Sequence, residues 1–392
     1  MPFIMVLGNS MLIPIFPQME KAMNLTPFQV SLFITLFSVP AGLLIPFAGI
    51  LSDHIGRKTV MVPALIIYGT GGLVAGTAAA LLSQPYPVLL AGRILQGIGA
   101  GGTYQLAMAL AGDVFTTEER TKVLGYLESA NGFGKVCSPL LGAALALLVW
   151  YAPFFAYGLL ALPIAFLVLF LVKEPEGRSR KQTAAAYLQS LKKIYQSKAA
   201  PLLACYAAGA IGLFLLFGLL SFFSDELEAK YHITGFAKGG VLAIPVGTMA
   251  AASFLGGLLL QGQRQLLKPV ILAGLALTSL GLAVFAFDLS APAAIAISAL
   301  IALGIGALLP PLNTLITSSA STNERGLVTC LYGTVRFFGV AIGPPAFALA
   351  GEIHRLLLFL GAAGLAAAGI AIAAIWVNTS TMLNNTGSAG GA

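Results

Sequence analysis

Glu128, Asn131 and Lys135 follow one another at spacings of three and four residues in ESANGFGKVCSPLLGA, a stretch otherwise made of small and apolar residues. On a helix the three share one face. A carboxylate and an ammonium two turns apart, about 10 Å along the axis, close no tight pair without long side-chain reach. The stripe therefore has room for a ligand or water between its ends. The chemistry it suits is binding and proton carriage, with Glu128 as the expected carrier. The alternative is a Glu128–Lys135 ion pair that only fixes the helix. Charge also gathers in GILSDHIGRKTV, residues 49–60, where Asp53, His54, Arg57 and Lys58 stand together in a chain with only 9% charged residues.

Arg93 and Arg336 lie inside further apolar runs. An arginine at the centre of a membrane helix costs ~3 kcal/mol on insertion scales, so each needs a partner or a wet cavity; Arg93, close to one end of its run, has snorkelling as its alternative. Tyr104 falls eleven residues after Arg93, on nearly the same helical face, with Gln105 beside it, and both are candidates to line a cavity. Phe214, Phe217, Phe222 and Phe223 could offer an apolar lining for bulky amphiphiles, although aromatics at helical spacing are more often packing or lipid-facing residues. The sequence shows no HExxH, no GxSxG at a helix edge, no paired catalytic aspartates and no Walker motif, which argues against an enzyme and against a nucleotide-driven machine. Cys137, Cys205 and Cys330 fall inside apolar runs, with neither metal-ligand nor disulfide spacing, and read as small packing residues. No metal or organic cofactor is expected, and the proton is the expected coupling ion.

The elements that must hold these residues follow from hydropathy. With 58% hydrophobic residues in 392 and a mean hydropathy of +0.92, an ordinary solvated globular fold is excluded. Runs long enough to cross a ~30 Å hydrocarbon core as helices recur at 1–19, 28–52, 59–82, 87–112, 121–148, 150–172, 199–223, 237–260, 267–287, 291–317, 325–350 and 354–377. The expectation is an all-α integral membrane protein with twelve spans. The net charge of +7 would suggest nucleic acid in a soluble chain, but here the cations sort by membrane side. Arg57, Lys58, Arg120, Lys122, the basic residues of 173–198, Arg264, Lys268 and Arg325 fall in the loops or at the span ends on one side, against Lys21, Lys230, Lys238 and Arg355 on the other. Both termini are therefore expected in the cytoplasm of a plasma-membrane protein. The first run has neither the charged leader nor the cleavage site of a signal peptide. The polar, Gly/Ser-rich end, 378–392, is expected to be disordered.

KEPEGRSRKQTAAAYLQSLKKIYQSK, 173–198, is the one long polar stretch and reads as a linker, partly an amphipathic helix on the inner surface, between six-span bundles at 1–172 and 199–377. The two halves repeat. EERTKVLGYLESANGFGKVCSPLLGA matches NERGLVTCLYGTVRFFGVAIGPPAFA at an offset of 205, placing Gly134 on Gly339 and Pro139 on Pro344. Gly97 and Gly99 likewise fall over Gly304 and Gly306. Duplicated six-helix halves are the mark of a secondary transporter, with substrate near the midplane between them.

GILSDHIGRKTV resembles the loop motif between the second and third spans of the major facilitator superfamily, matching at Gly49, Leu51, Ser52, Asp53, Gly56, Arg57 and Lys58. The resemblance implies two pseudo-symmetric six-helix bundles and a cytoplasmic gate. In that gate Asp53 faces the eleventh span near Glu324 and Arg325, while Arg57 reaches Asp113; positive-inside anchoring is the alternative for Arg57 and Lys58. RILQGIGAGG is similar to the superfamily's second motif at Arg93, Gln96 and Gly97. Gly125, Gly134, Ser138, Pro139 and Gly142 resemble the antiporter signature of its drug exporters, a helix-bend motif, with Ser138 and Ala143 as departures that remain small. Asn9 stands where many such exporters carry an acid.

The resemblance, which covers essentially the whole chain, implies a proton-coupled exporter of small amphiphilic molecules such as drugs or secreted metabolites, working by alternating access. It is expected to be monomeric in the lipid bilayer, to bind a small-molecule substrate and to bind no nucleic acid. The NGFGK run, with acid and lysine in the fifth span, also resembles exporters of catecholate siderophores, whose anionic cargo would suit Lys135 and Arg336. An importer of a sugar or organic acid is the further alternative.

Overall fold

The computed structural model describes residues 1–115, 117–172, 184–320 and 325–383. Among these, every regular element is a helix. They are labelled α1 (Pro2–Met23), α2 (Pro27–Ile55), α3 (Arg57–Leu81), α4 in two pieces (Tyr86–Gly101 and Tyr104–Val114), α5 (Thr117–Ala146) and α6 (Ala152–Leu171). The second half holds α7 (Lys198–Ala229), α8 (Gly235–Leu259) and α9 (Arg264–Phe285), followed by α10 (Ala291–Ser318), α11 (Arg325–Ile353) and α12 (Arg355–Trp376). Ten of them are long and apolar enough to cross a membrane. The broken α4 and the charge-bearing α5 complete the twelve.

Local chemistry sets the boundaries. Pro14 sits in a 3-10 turn at Ile13–Ile15 and Pro17 opens the helical segment after it, so α1 is bent rather than ended and reaches Met23, beyond the expected 19. Proline removes a helical N–H and fixes φ, which suits the first turn of a segment. Asn24, at φ 53°, stops α1 in the left-handed conformation. Thr26 then starts α2 with a reciprocal capping box to Gln29. Gly56, at φ 100°, is the single hinge residue between α2 and α3. Large apolar side chains such as Leu81, Leu171 and Leu259 remain more than 70% exposed, as a lipid-facing surface requires.

Two compact units divide the chain. The first comprises Met1–Lys181 with Leu220–Ala243; the second comprises Gln182–Leu219 with Ile244–Ala392. The end of α7 and the start of α8 belong to the first unit, and two contacts fasten them there. Ser224 donates to the Ile13 carbonyl at 2.7 Å, and Gly239 packs on Pro139 and Ala143. The polar end is also not unstructured throughout. Thr379–Leu383 forms a short helix, α13, capped by Asn378, which accepts from Ser380 and Thr381, and anchored by the buried Met382. The remainder of the expected linker before 184 and of the tail after 383 lies outside the described residues.

Candidate functional site

Small residues bring α1 and α5 together in the first unit. Gly134, Ser138 and Gly142 are spaced by four and face Phe3, Leu7 and Met11, also spaced by four. A methyl on Gly134 would meet the Phe3 carbonyl oxygen at 3.0 Å, and one on Gly142 would overlap the Met11 carbonyl. Close backbone approach through small residues is how membrane helices associate where no hydrophobic force separates protein from lipid. The second unit repeats the device with α11 on α7: Gly339 and Gly343 meet the carbonyls of Ala210 and Phe214. At the third step the sizes are exchanged. Gly142 lies under Met11 in the first unit, whereas Phe347 lies over Gly218 in the second. Gly125 has nothing within 4 Å of a would-be methyl and takes no part in the seam.

The repeat is less regular in α4 and α10. Gly97 approaches α2 at Phe37 and Gly99 approaches α3 at Ala64. Gly304 instead approaches α9 at Gly274, while Gly306 approaches α8 at Met249. The sequence register that stacks these glycines therefore pairs positions on different faces.

The loop cluster is assembled within the first unit. Arg57 pairs with Asp53 at 2.5 Å and with Asp113 at 3.3 Å, and donates to Ser52 Oγ at 2.6 Å. The planar guanidinium fork serves three oxygens from two helices at once, Ser52 and Asp53 on α2 and Asp113 near the end of α4. Gly56, at φ 100°, turns the chain so that Arg57 comes back over Asp53. His54 is engaged with the Ile50 carbonyl at 2.8 Å. The expected partners Glu324 and the Arg325 side chain lie outside the described residues, so the Asp53 side of that expectation stands on the resemblance.

Arg93 does not snorkel and lines no surface. It is 0% exposed and donates to the carbonyls of Phe33 and Gly8, to Gln96 and to Asn9, at 2.8–3.0 Å. Its guanidinium carbon lies 4.4 Å from the centre of the Phe37 ring. Asn9 in turn donates to Ser38 at 2.8 Å. Arg93 and Asn9 thus form an internal knot joining α1, α2 and α4, instead of the cavity wall expected of them.

Asn131 is 8% exposed and Lys135 half-buried on α5; the Glu128 side chain lies outside the described residues. The shared face of Arg93 and Tyr104 is undone by a break in α4. Gly102 and Thr103 interrupt the helix, Thr103 at φ −119° and ψ −76°, so a uniform turn per residue no longer relates the two positions. Tyr104 and Gln105 are both half-buried. Of the phenylalanines, Phe223 is fully buried and Phe214 packs edge-on to Phe347, so both act in packing.

In the second unit Arg336 stands differently from Arg93. No described acid pairs with it; its Nε and the Tyr332 hydroxyl are both buried without a hydrogen-bond partner, and its guanidinium carbon lies 5.2 Å from the Tyr332 ring centre. Gly209 makes room for the Tyr332 ring, which stacks on Tyr206.

Sequence reasoning missed a second charged cluster, in the first unit at the end opposite Asp53. Lys238, counted with the loop cations at the start of the eighth run, is 1% exposed inside α8 and binds Glu228 at 3.1 Å. Glu228 also takes Lys21 at 2.5 Å, and Glu226 pairs with Lys230 at 3.6 Å. The signal was the acidic run SDELEAK closing an otherwise apolar helix.

Apolar helices of membrane-spanning length, seamed by glycine, duplicated in sequence and carrying buried charge, are the features of a membrane transporter. The Major Facilitator Superfamily model matches residues 1–344, and the chain belongs to that family. It is 40% identical to the Bacillibactin exporter of Bacillus subtilis (strain 168) over 92% of this chain and 90% of the relative. It is 24% identical to Multidrug resistance protein 2 of the same organism over 95% and 92%. Its fold matches a bacterial homologue of the human lysosomal transporter Spinster, with TM-score 0.73 and 17% identity over 98% and 95% of the two chains. It also matches the human organic anion transporter MFSD10, with TM-score 0.70 and 19% identity over 95% and 96%.

Proposed function

We propose that the chain is a proton-coupled exporter of a small anionic or amphiphilic metabolite, a catecholate siderophore being the cargo that best fits, with drugs as the wider class. The observation that carries this reading is the 40% identity to the Bacillibactin exporter along nearly the whole of both chains. Arg336 supports an anionic cargo, since a guanidinium with a buried, unsatisfied Nε invites an acceptor. Lys135 is the complementary cation on α5, and Glu128 carries the proton. The Asp53–Arg57–Asp113 cluster latches the cytoplasmic end. Both termini face the cytoplasm, by the distribution of Lys and Arg between spans, and the working unit is a monomer.

The test is whole-cell export. A bacterial host stripped of its own siderophore exporters and drug pumps is supplied with iron-free bacillibactin inside, with and without this chain. Secretion that depends on the chain and stops on collapse of the proton gradient supports the reading; secretion equal to the empty host refutes it.

A further inference from the structure

Buried tyrosine hydroxyls in this protein bond to backbone. Tyr68 donates to the Ile4 carbonyl, Tyr157 to those of Leu7 and Gly8, and Tyr206 to that of Val328, at 2.7–3.3 Å. Tyr332 on α11 is the exception among the described residues. It is 2% exposed, yet its hydroxyl has no hydrogen-bond partner. One turn on, Arg336 Nε is also buried and also without a partner. Arg93 gives the contrast, since its Nε donates to the Phe33 carbonyl at 2.9 Å.

Packing does not account for the Tyr332 hydroxyl. The ring stacks on Tyr206 with centres 5.8 Å apart and has the Arg336 guanidinium carbon 5.2 Å from its own centre, contacts that a phenylalanine ring makes as well. Gly209 on α7 leaves the space in which the hydroxyl sits, because a methyl there would stand 2.5 Å from that oxygen. Room is thus kept for a polar atom that bonds to no part of the protein. Arg336 is the twelfth residue of α11, about 17 Å from its start, so both groups lie well inside the span. A donor without an acceptor is costly there, where bulk water is not at hand to supply one.

The guanidinium can only donate, and the hydroxyl one helical turn away offers a second donor on the same face. An anion with two neighbouring oxygens completes the pair, one oxygen taking the charged Nε–H and the other the hydroxyl. Catechol oxygens and a carboxylate share that chemistry. We infer that Tyr332 and Arg336 form a paired-donor subsite for two adjacent oxygens of the cargo, with Tyr206 and Gly209 positioning the Tyr332 ring. All four residues belong to the second unit. The inference rests on the proposed export of an anionic metabolite and adds a residue that selects the pattern of oxygens rather than charge alone.

The test is calorimetric binding to the purified full chain in lipid nanodiscs, with no pH gradient. The probes are iron-free bacillibactin, which presents catechol oxygen pairs, and benzoate, which presents a carboxylate. Tyr332→Phe removes one oxygen atom and keeps the ring. Binding of at least one probe is expected to weaken about three- to tenfold, the range of one lost hydrogen bond, while the melting temperature stays level or rises because an unsatisfied buried hydroxyl has gone. A loss with bacillibactin assigns the subsite to catechol oxygens and a loss with benzoate assigns it to a carboxylate; either supports the inference. Arg336→Lys, which keeps the charge but lacks Nε, is expected to weaken the same probe. Unchanged affinity for both probes in Tyr332→Phe overturns the inference, and so does a wild-type chain that binds neither. A melting temperature that falls together with the affinity also overturns it, since the hydroxyl would then belong to the fold. Failure of the export reading is separate: it shows as wild-type chain that binds a probe in a Tyr332-dependent way yet secretes no bacillibactin from cells.

Discussion

Replacing Gly142 with alanine puts a methyl group into the backbone of α1. The added carbon would overlap the Met11 carbonyl oxygen and stand 2.8 Å from its carbonyl carbon and 3.0 Å from Met11 Cγ. The side-chain atom can swing aside, but the carbonyl cannot, so α5 must back away from α1. Gly134 and Ser138 then lose their fit on Phe3 and Leu7, because all three lie on one stripe. Overpacking of this kind costs about 1–3 kcal/mol. Alanine also raises helix propensity by about 1 kcal/mol over glycine, which masks part of the loss. Gly125→Ala supplies the control, since it has the same propensity gain on the same helix and nothing within 4 Å. The difference between the two variants isolates the clash. At roughly 2–4 °C per kcal/mol for a unit of 150–250 residues, Gly142→Ala should melt roughly 2–12 °C below Gly125→Ala. Melting followed by detergent size-exclusion measures this. Equal melting temperatures would refute the seam as the contact that sets the α1–α5 approach.

Arg57→Lys keeps the charge but loses the fork that reaches Asp53, Asp113 and Ser52; turnover in vesicles should slow by about tenfold, roughly 1.4 kcal/mol, with insertion unchanged. Arg336→Gln should weaken bacillibactin transport by about 10- to 100-fold, the range of a lost charge-assisted hydrogen bond, while a neutral dye is still moved, which parallel uptake assays decide. Glu128→Gln should abolish pH-driven efflux while the protein still inserts, and unchanged coupling would remove Glu128 from the carrier role.

What the sequence made legible followed chemistry that is local. Asp53 and Arg57 stand four residues apart in a motif that drew attention to this loop; the Arg57–Asp113 contact was the one the resemblance implied, whereas the Asp53–Arg57 pair and the Ser52 contact emerge from the fold. Gly134, Ser138 and Gly142 announced a close-packed seam, although α1 as the partner did not follow from them. Arg93 was harder, because two of its acceptors are backbone carbonyls, those of Gly8 and Phe33, which any residue type supplies. Tyr104 was placed by extrapolating one helix across Gly102 and Thr103, where the backbone leaves the helical course. Lys238 was read as a loop cation because its shield is remote: Glu228 is ten residues away, and Lys21, on the same carboxylate, stands 207 residues before it. Pairings of that range carry no periodicity to read.

The central claim is that cargo leaves in exchange for protons. It is tested most directly with the purified chain in sealed proteoliposomes, acid inside and iron-free bacillibactin outside. Protons running out should drive accumulation of bacillibactin inside, and a proton ionophore should abolish it. Accumulation that survives collapse of the gradient, or that appears only with the acid outside, would contradict the account.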